Sequence, residues 1–280
     1  MASITLFELH LFHSIDRAVF SRLVTTLKIQ ASQALLIMAL WLWLEDAKQC
    51  VIISKLVELT DNLLDAVANE AALCINCLKT KTPTTHGGSL HLISRMMGKE
   101  ITLKHICDMK YTGISCVKAF LKEVCAWIFT DILFKVLPMS SNFNINRPLF
   151  IPGFPHPIFG LLEIKIMPLS IIVPVRGLRG WDLKFEAPID DRTLFLTFSR
   201  GFPVPQTEVQ QFFIQMCGEY CIESFQMEPI KDSLKTQSLY ARMALRSVAY
   251  MDQIMRGKHV GKFRSKGKHI WARKFERRDP

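Results

Sequence analysis

Two short segments in the C-terminal third of the chain combine aromatic and basic side chains in a spacing that suits nucleotide binding. They are residues 194–199 and residues 238–245. As half-buried strands with a period of two, they turn Phe195, Tyr240 and Arg242 away from their apolar sides. Aromatic side chains on the solvent face of neighbouring strands form a surface on which bases stack. We therefore expect Phe195 and Tyr240 to stack on bases, and Arg242 to stack or to bind a phosphate.

The chain between and after these segments alternates between strand and helix patterns. Residues 209–216 place apolar side chains at helical spacing, and residues 221–227 suit a strand. Ser247 can cap a second helix, and residues 270–275 suit a last strand. The order is strand, helix, strand, strand, helix, strand, which is the ferredoxin-like βαββαβ layout. The sequence therefore predicts an α+β domain over residues 190–280.

The two segments resemble the motifs of the RNA recognition motif (RRM) family. Residues 194–199 resemble that family's hexamer, and residues 238–245 resemble a degraded octamer in which Tyr240, Ala241 and Met243 fit the pattern. The octamer departs from the family at Ser238, Leu239, Arg242 and Leu245. The resemblance implies an RRM fold that binds single-stranded RNA on its sheet. Because Arg242 replaces an aromatic residue, two of the family's three stacking positions carry over, Phe195 and Tyr240.

The layout of the whole chain resembles plant RRM-containing RNA-binding proteins that have an N-terminal helical region. The likeness covers most of the chain and includes residues 7–24, 38–44, 151–160 and 190–278. It implies RNA binding, and it names no RNA target, pathway or reaction.

Positive charge is concentrated at the C-terminal end of the chain. The formal net charge is +10, and residues 256–278 contain ten Lys and Arg residues against the single Glu276. Local basicity is typical of phosphate contact, although a solvated basic tail or a nuclear-import signal has the same composition. We expect this run to contact RNA from an edge strand beside the stacking surface. The residues assigned to this contact are Lys258, Lys262, Arg264, Lys266 and Lys268.

The last predicted strand adds two candidates to the RNA-binding surface. Trp271 and Arg273 have the outward parity, opposite Ile270 and Ala272. Trp271 would extend the stacking surface, or it would be covered by a linker or a C-terminal segment. The sequence leaves both alternatives open.

The first half of the chain has a different apolar period from the second. Residues 1–138 show helical spacing almost throughout, which predicts an all-helical domain. Residues 139–189 are rich in Pro and Gly, which predicts a linker. Three aromatic residues in this linker suit either an extended spacer or a segment docked onto one of the domains; they are Phe154, Phe159 and Trp181.

No segment predicts a membrane span, a metal site or a catalytic centre. The most apolar stretch, residues 31–44, has fourteen residues, whereas a spanning helix needs about twenty. Cys74 and Cys77 have metal-ligand spacing but no second pair follows, so we expect no metal and no cofactor. Because no catalytic motif is present either, we expect a soluble non-enzyme of the nucleus or the cytoplasm.

Two functions fit these observations. The first is binding of single-stranded RNA on the sheet face of a degenerate RRM. The second is protein–protein interaction, in which a pseudo-RRM acts as a module or scaffold that binds no nucleic acid. A protein partner could also bind through the helical N-terminal domain. The stacking aromatics and the clustered cations favour RNA.

Overall fold

The chain divides into two units that do not follow chain order. A computed structural model describes residues 4–48, 50–80, 88–137, 147–173, 187–229 and 237–276. The N-terminal unit comprises Met1–Lys79, Gly87–Leu103 and Cys116–Phe185. The C-terminal unit comprises Thr80–His86, Lys104–Ser115 and Glu186–Pro280. The predicted helical region thus contributes a segment, Lys104–Ser115, to the C-terminal unit.

Helices occupy most of the chain before residue 138. They are α1 (Leu6–Phe12), α2 (Ser14–Ser21), α3 (Ala31–Lys48), α4 (Ile53–Val57), α5 (Asp61–Lys79), α6 (His91–Met97), α7 (Leu103–Asp108), α8 (Lys110–Phe120), α9 (Ala126–Ile128) and α10 (Thr130–Val136). Turns of π-helix span Arg22–Thr26 and Leu121–Cys125. The short strands β1 (Ile4–Thr5) and β2 (Ile172–Val173) pair antiparallel. The helical character predicted for the N-terminal region is confirmed where the structure describes it, apart from β1.

Helix α3 forms the centre of the N-terminal unit. Its residues 34–44 are buried on every side, including Trp41 and Trp43, as expected of a helical segment without a polar face. Beside it in sequence, Phe20 of α2 stacks on Phe129 with ring centroids 4.0 Å apart. Among the described residues, none of the helices combines the length and the apolar character that crossing a membrane requires.

Most of the described part of the predicted linker, residues 147–173, belongs to the N-terminal unit. Phe154 and Phe159 are buried. At these two residues the segment is therefore docked rather than an extended spacer. Gly153 has a φ of 99°, and a Cβ at this position would lie 2.7 Å from the Ser32 hydroxyl oxygen, so the backbone approach depends on glycine. Trp181 lies outside the described residues.

Residues 193–274 of the C-terminal unit form a five-stranded antiparallel sheet and two helices. In chain order the elements are β3 (Thr193–Phe198), α11 (Gln206–Cys217), β4 (Ile222–Met227), β5 (Tyr240–Leu245), α12 (Val248–Met255), β6 (Val260–Ser265) and β7 (Lys268–Lys274). The strand order across the sheet is β4-β5-β3-β7-β6. Ser247 caps α12, as predicted, by accepting a hydrogen bond from the Ala249 amide. The combination of helix and sheet expected for this chain is confirmed.

The strand β6 was not predicted, and it changes the position of the last strand. β6 and β7 form a hairpin whose turn residues, Lys266 and Gly267, have φ values of 44° and 83°, as a two-residue type I′ turn requires. The expectation that residues 270–275 form an edge strand is therefore wrong, because β6 covers that side of β7. Exposed Lys262 and Arg264 conceal the strand in the sequence, since they make β6 look like a solvated basic segment.

One face of the sheet packs against α11 and α12. Leu194, Leu196 and Met243 are fully buried on this face. Phe213 of α11 meets Phe263 of β6 edge-on, with ring centroids 5.6 Å apart. Alternate residues of each strand bury apolar surface here, so the residues between them must point to the opposite face.

The Asp252 carboxylate joins α12 to the segment Lys104–Ser115. Its Oδ1 and Oδ2 accept hydrogen bonds from the backbone amides of Tyr111, at 2.7 Å, and Thr112, at 3.0 Å. These amides lie in the first turn of α8 and have no acceptor within their own helix, so Asp252 caps α8 from a distant element. Burial raises the pKa of Asp252 to about 6.

The pH dependence of stability should reveal this carboxylate. Because the pKa of Asp252 is raised in the folded state above its ordinary value near 3.8, the unfolded chain releases the proton first. The contribution of Asp252 to the free energy of unfolding should therefore fall by about 3 kcal/mol as the pH rises from about 4 to about 6. Chemical unfolding of the full chain at several pH values measures this slope.

The matched control for this titration is Asp252→Asn. At neutral pH the amide removes a buried charge that costs about 3 kcal/mol, and the loss of one acceptor costs roughly 1–2 kcal/mol, so the variant should be no less stable than the native protein there. Its other carboxylates are unchanged, and the difference in slope between the two proteins isolates Asp252. Identical slopes would show that Asp252 does not titrate in this range.

Candidate nucleic-acid interface

The face of the sheet opposite α11 and α12 carries most of the predicted site residues. In the antiparallel register, Phe195 lies between Arg242 of β5 and Arg273 of β7. Thr197 lies between Tyr240 and Trp271 in the same way. Directly opposed residues are the closest neighbours on a sheet face. The structure therefore gathers three aromatic side chains and two arginines at the middle of one surface, which we call the open face.

Protein groups already contact the ring of Phe195. Phe195 and Tyr240 stack with ring centroids 5.4 Å apart and an interplanar angle of 23°. The guanidinium carbon of Arg273 lies 4.9 Å from the centroid of Phe195, within cation–π distance. A base that reaches Phe195 must displace one of these neighbours or stack on the outside of the group.

Trp271 is more accessible than Phe195. Its side chain is 48% exposed, whereas Phe195 is half-buried. The sequence left open whether a linker or a C-terminal segment covers Trp271. Among the described residues, no such segment covers it. An exposed indole at the middle of β7 offers a large flat surface for stacking.

Exposed cations line the side of the open face that β6 forms. Lys262 lies opposite Trp271, and Arg264 lies opposite His269. Lys258 precedes β6, and Lys266 occupies the hairpin turn; both are exposed. Lys262 and Arg264 stand on the same face as Trp271, where phosphates of a bound strand would be attracted to them.

The structure does not bring Lys268 to the open face. Its Nζ lies 2.9 Å from the Glu208 Oε2 atom of α11, and Ser265 donates a hydrogen bond of 3.1 Å to Glu208 Oε1. The hydrogen bond from Lys268 lowers the pKa of Glu208. Lys274 is likewise paired, with its Nζ 2.5 Å from Asp191 Oδ1. Lys268 was predicted to contact RNA, yet its charge is neutralised on the helix-covered face. Arg277 and Arg278 lie outside the described residues.

Two residues that were not assigned a role contribute to the open face. The guanidinium of Arg242 lies 4.6 Å from the ring centroid of Phe275, which therefore supports it. Gln226 of β4 lies opposite Arg242 on its other side. The outward parity of Phe275 was visible in the sequence, but its partner is on another strand, so no local pattern could reveal the contact.

The described residues contain no group of three or more His, Cys, Asp and Glu side chains that could hold a metal ion. A cavity of about 530 Å³ in the N-terminal unit is lined by Lys122, Trp127, Glu163 and Lys165 together with apolar residues. Its lining residues include no serine, cysteine or histidine. The open face is therefore the stronger candidate for a binding site.

A double-mutant cycle should measure the contact between Phe195 and Tyr240. Stacked aromatic pairs contribute about 0.5–1.5 kcal/mol beyond their buried area, so Phe195→Ala and Tyr240→Ala should be non-additive by that amount in urea unfolding. Trp271 provides the control, because it flanks Thr197 from the other side. A second cycle, with Phe195→Ala and Trp271→Ala, should show a smaller coupling energy. Equal coupling energies in the two cycles would contradict the stack between Phe195 and Tyr240.

Comparisons with known proteins add no family to this description. The chain matches no protein-family model, no curated protein and no solved structure.

Proposed function

We propose that the chain is an RNA-binding protein that holds single-stranded RNA on the open face of a degenerate RRM. The observation that carries this proposal is the register of the face. It sets Phe195 between two arginines and the exposed Trp271 beside Lys262. Flat rings for bases and cations for phosphates are thus a few ångströms apart on one surface, as single-strand binding requires.

The arrangement of strands supports the RRM part of the proposal. The segments that resemble the family's hexamer and octamer are β3 and β5, and they pair directly in the sheet, from Thr193↔Ala244 to Thr197↔Tyr240. The helices α11 and α12 follow β3 and β5 in the βαββαβ order, with β6 as an added strand before the last. A face built in this way presents the aromatic positions of both motifs together.

Unpaired RNA suits the open face better than a duplex. A base can stack on a side chain only when its own faces are free, which in a duplex they are not. Each base–aromatic stack is worth roughly 1–3 kcal/mol. Arginines such as Arg242 add cation–π or phosphate contacts, so a surface with several of each can bind a short strand.

Protein–protein interaction is the second candidate, and a specific contact favours it. Tyr240 and Arg273 already contact the ring of Phe195. A ring that is occupied by protein groups in this way is expected in a sheet that does not bind bases at this position. Apolar side chains are also exposed on α1 and α2 of the N-terminal unit, namely Phe7, Leu11, Phe12 and Ile15. Exposed apolar groups of this kind occur at contacts with protein partners.

The substitution Arg242→Phe tests the RNA-binding proposal. Replacing a cationic contact by a stack should keep or raise affinity for a labelled single-stranded RNA. It should also reduce the slope of log affinity against log salt by about 0.7, the contribution of one phosphate contact to a single strand. Fluorescence anisotropy across a salt series gives both quantities for the full chain.

The control is Arg246→Phe, which alters an exposed arginine just after β5 and should leave both quantities unchanged. If neither the native protein nor Arg242→Phe binds RNA at low salt while circular dichroism shows both folded, RNA binding is wrong. Protein–protein interaction then takes its place.

A further inference from the structure

The strand β6 presents cations at a regular interval along one edge of the open face. Lys262 and Arg264 are both exposed and are two residues apart in the strand. Alternate residues of a strand point to the same face at intervals of about 6.7 Å. This interval is close to the separation of consecutive phosphates in an extended single strand. β6 also lies at the edge of the sheet, where a backbone can approach from the side.

Trp271 lies one strand inward from these cations. It is directly opposite Lys262 in the register, and its neighbour at the next outward position, His269, is opposite Arg264. A nucleotide whose phosphate meets Lys262 therefore has its base directed across β7. The exposed indole is the flat group within reach of that base.

Ion pairs neutralise two lysines of the hairpin strand β7 on the side of the helices. Lys268 is paired with Glu208 and Lys274 with Asp191, both on the side of the helices. Lys262 and Arg264 are exposed on the opposite face. Along β6 and β7, the lysines on the helix side are thus paired, and the exposed Lys262 and Arg264 attract phosphate to the open face.

The middle of the sheet offers less room than β7. Phe195 is stacked on Tyr240 and covered by Arg273. A base that contacts the face of the Phe195 ring must displace one of these neighbours, whereas a base can stack on the exposed Trp271 directly. A first base therefore binds more readily at Trp271 on β7 than at Phe195 on β3.

We propose that the RNA backbone runs along β6, with Lys262 and Arg264 binding consecutive phosphates and Trp271 stacking the intervening base. The inference rests on the proposed RNA binding and specifies the path of the strand on the open face. In this path the stacking positions of the two motif strands, Phe195 and Tyr240, are secondary contacts. A strand crossing the centre of the sheet would instead make them primary.

The start of β6 is held firmly enough to present such a path. The Tyr111 hydroxyl donates a hydrogen bond of 2.8 Å to the Lys258 carbonyl. Gly257 packs so closely on the Cys107 carbonyl oxygen that a Cβ would lie 2.8 Å from it. Segment Lys104–Ser115 thereby fixes the backbone just before β6.

Charged residues on an edge strand also have a different use, because lysines there prevent edge-to-edge association between sheets. The two roles give different results when the charges are removed. If Lys262 and Arg264 only protect the edge, their replacement promotes self-association and leaves RNA affinity at a given monomer concentration unchanged.

The test measures the affinity of the full chain for a labelled single-stranded oligouridine by anisotropy at several salt concentrations. The double variant Lys262→Gln with Arg264→Gln should lower the salt slope by about 1.4, for two phosphates. The control, Arg246→Gln with Lys99→Gln, removes the same charge from exposed positions outside the basic run and should leave the slope unchanged.

Stacking is tested with substitutions of single aromatic residues. Trp271→Ala should weaken binding by about 5- to 150-fold, and Trp271→Phe should retain most of the affinity because a ring remains. Phe195→Ala should weaken binding less than Trp271→Ala. Melting curves confirm that each variant is folded, which is expected for Trp271 because it is exposed.

The outcomes separate the path from the function. If the native protein binds RNA and only Phe195→Ala and Tyr240→Ala weaken it, the strand crosses the centre of the sheet and the β6 path is wrong, while RNA binding stands. Self-association of the double variant with an unchanged slope also overturns the path. If the folded native protein binds no RNA at low salt, the proposed function is wrong and the path is wrong with it.

Discussion

The register of β3 against its two neighbours governs the C-terminal unit. β3 lies between β5 and β7, and its residues Leu194 and Leu196 are fully buried against the helix layer. Since the side-chain period of a strand is two, a slip of one residue would turn these leucines into solvent and Phe195 into the core. The burial of apolar surface therefore fixes the register, and the register in turn sets Phe195 between Arg242 and Arg273. The composition of the open face follows from what the opposite face must bury.

Acidic residues determine which cations of the C-terminal run remain exposed. Glu208 and Asp191 pair with Lys268 and Lys274 on the side of the helices. The exposed members, including Lys262 and Arg264, alternate with inward-facing residues along β6. A basic run that looks uniform in the sequence thus becomes two groups with different surroundings. Of the cations that the structure describes on β6 and β7, the outward group is placed to meet phosphates and the paired group is not, so net charge alone overstates the size of the candidate site.

Residues that are far apart in the sequence hold the backbone before β6 in place. Asp252 caps the first turn of α8, and Tyr111 bonds to the carbonyl of Lys258 just before β6. A carboxylate buried to this degree requires such partners, because an unpaired buried charge is strongly unfavourable. The segment Lys104–Ser115 is consequently part of the unit that carries the open face, although it lies within the predicted helical region.

Local patterns in the sequence determined the outward parity of Phe195, Tyr240 and Trp271, and also the Ser247 cap, because alternation and capping depend on residues within a few positions of one another. The helical first half followed from its apolar period in the same way. Tertiary structure alone decided that β6 pairs with β7 at the edge, since cations hide its alternation. It also decided that Lys268 meets Glu208, sixty residues away, and that Arg273 covers Phe195. These contacts join separate strands and helices, and their geometry exists only after the sheet has formed and its apolar face is buried.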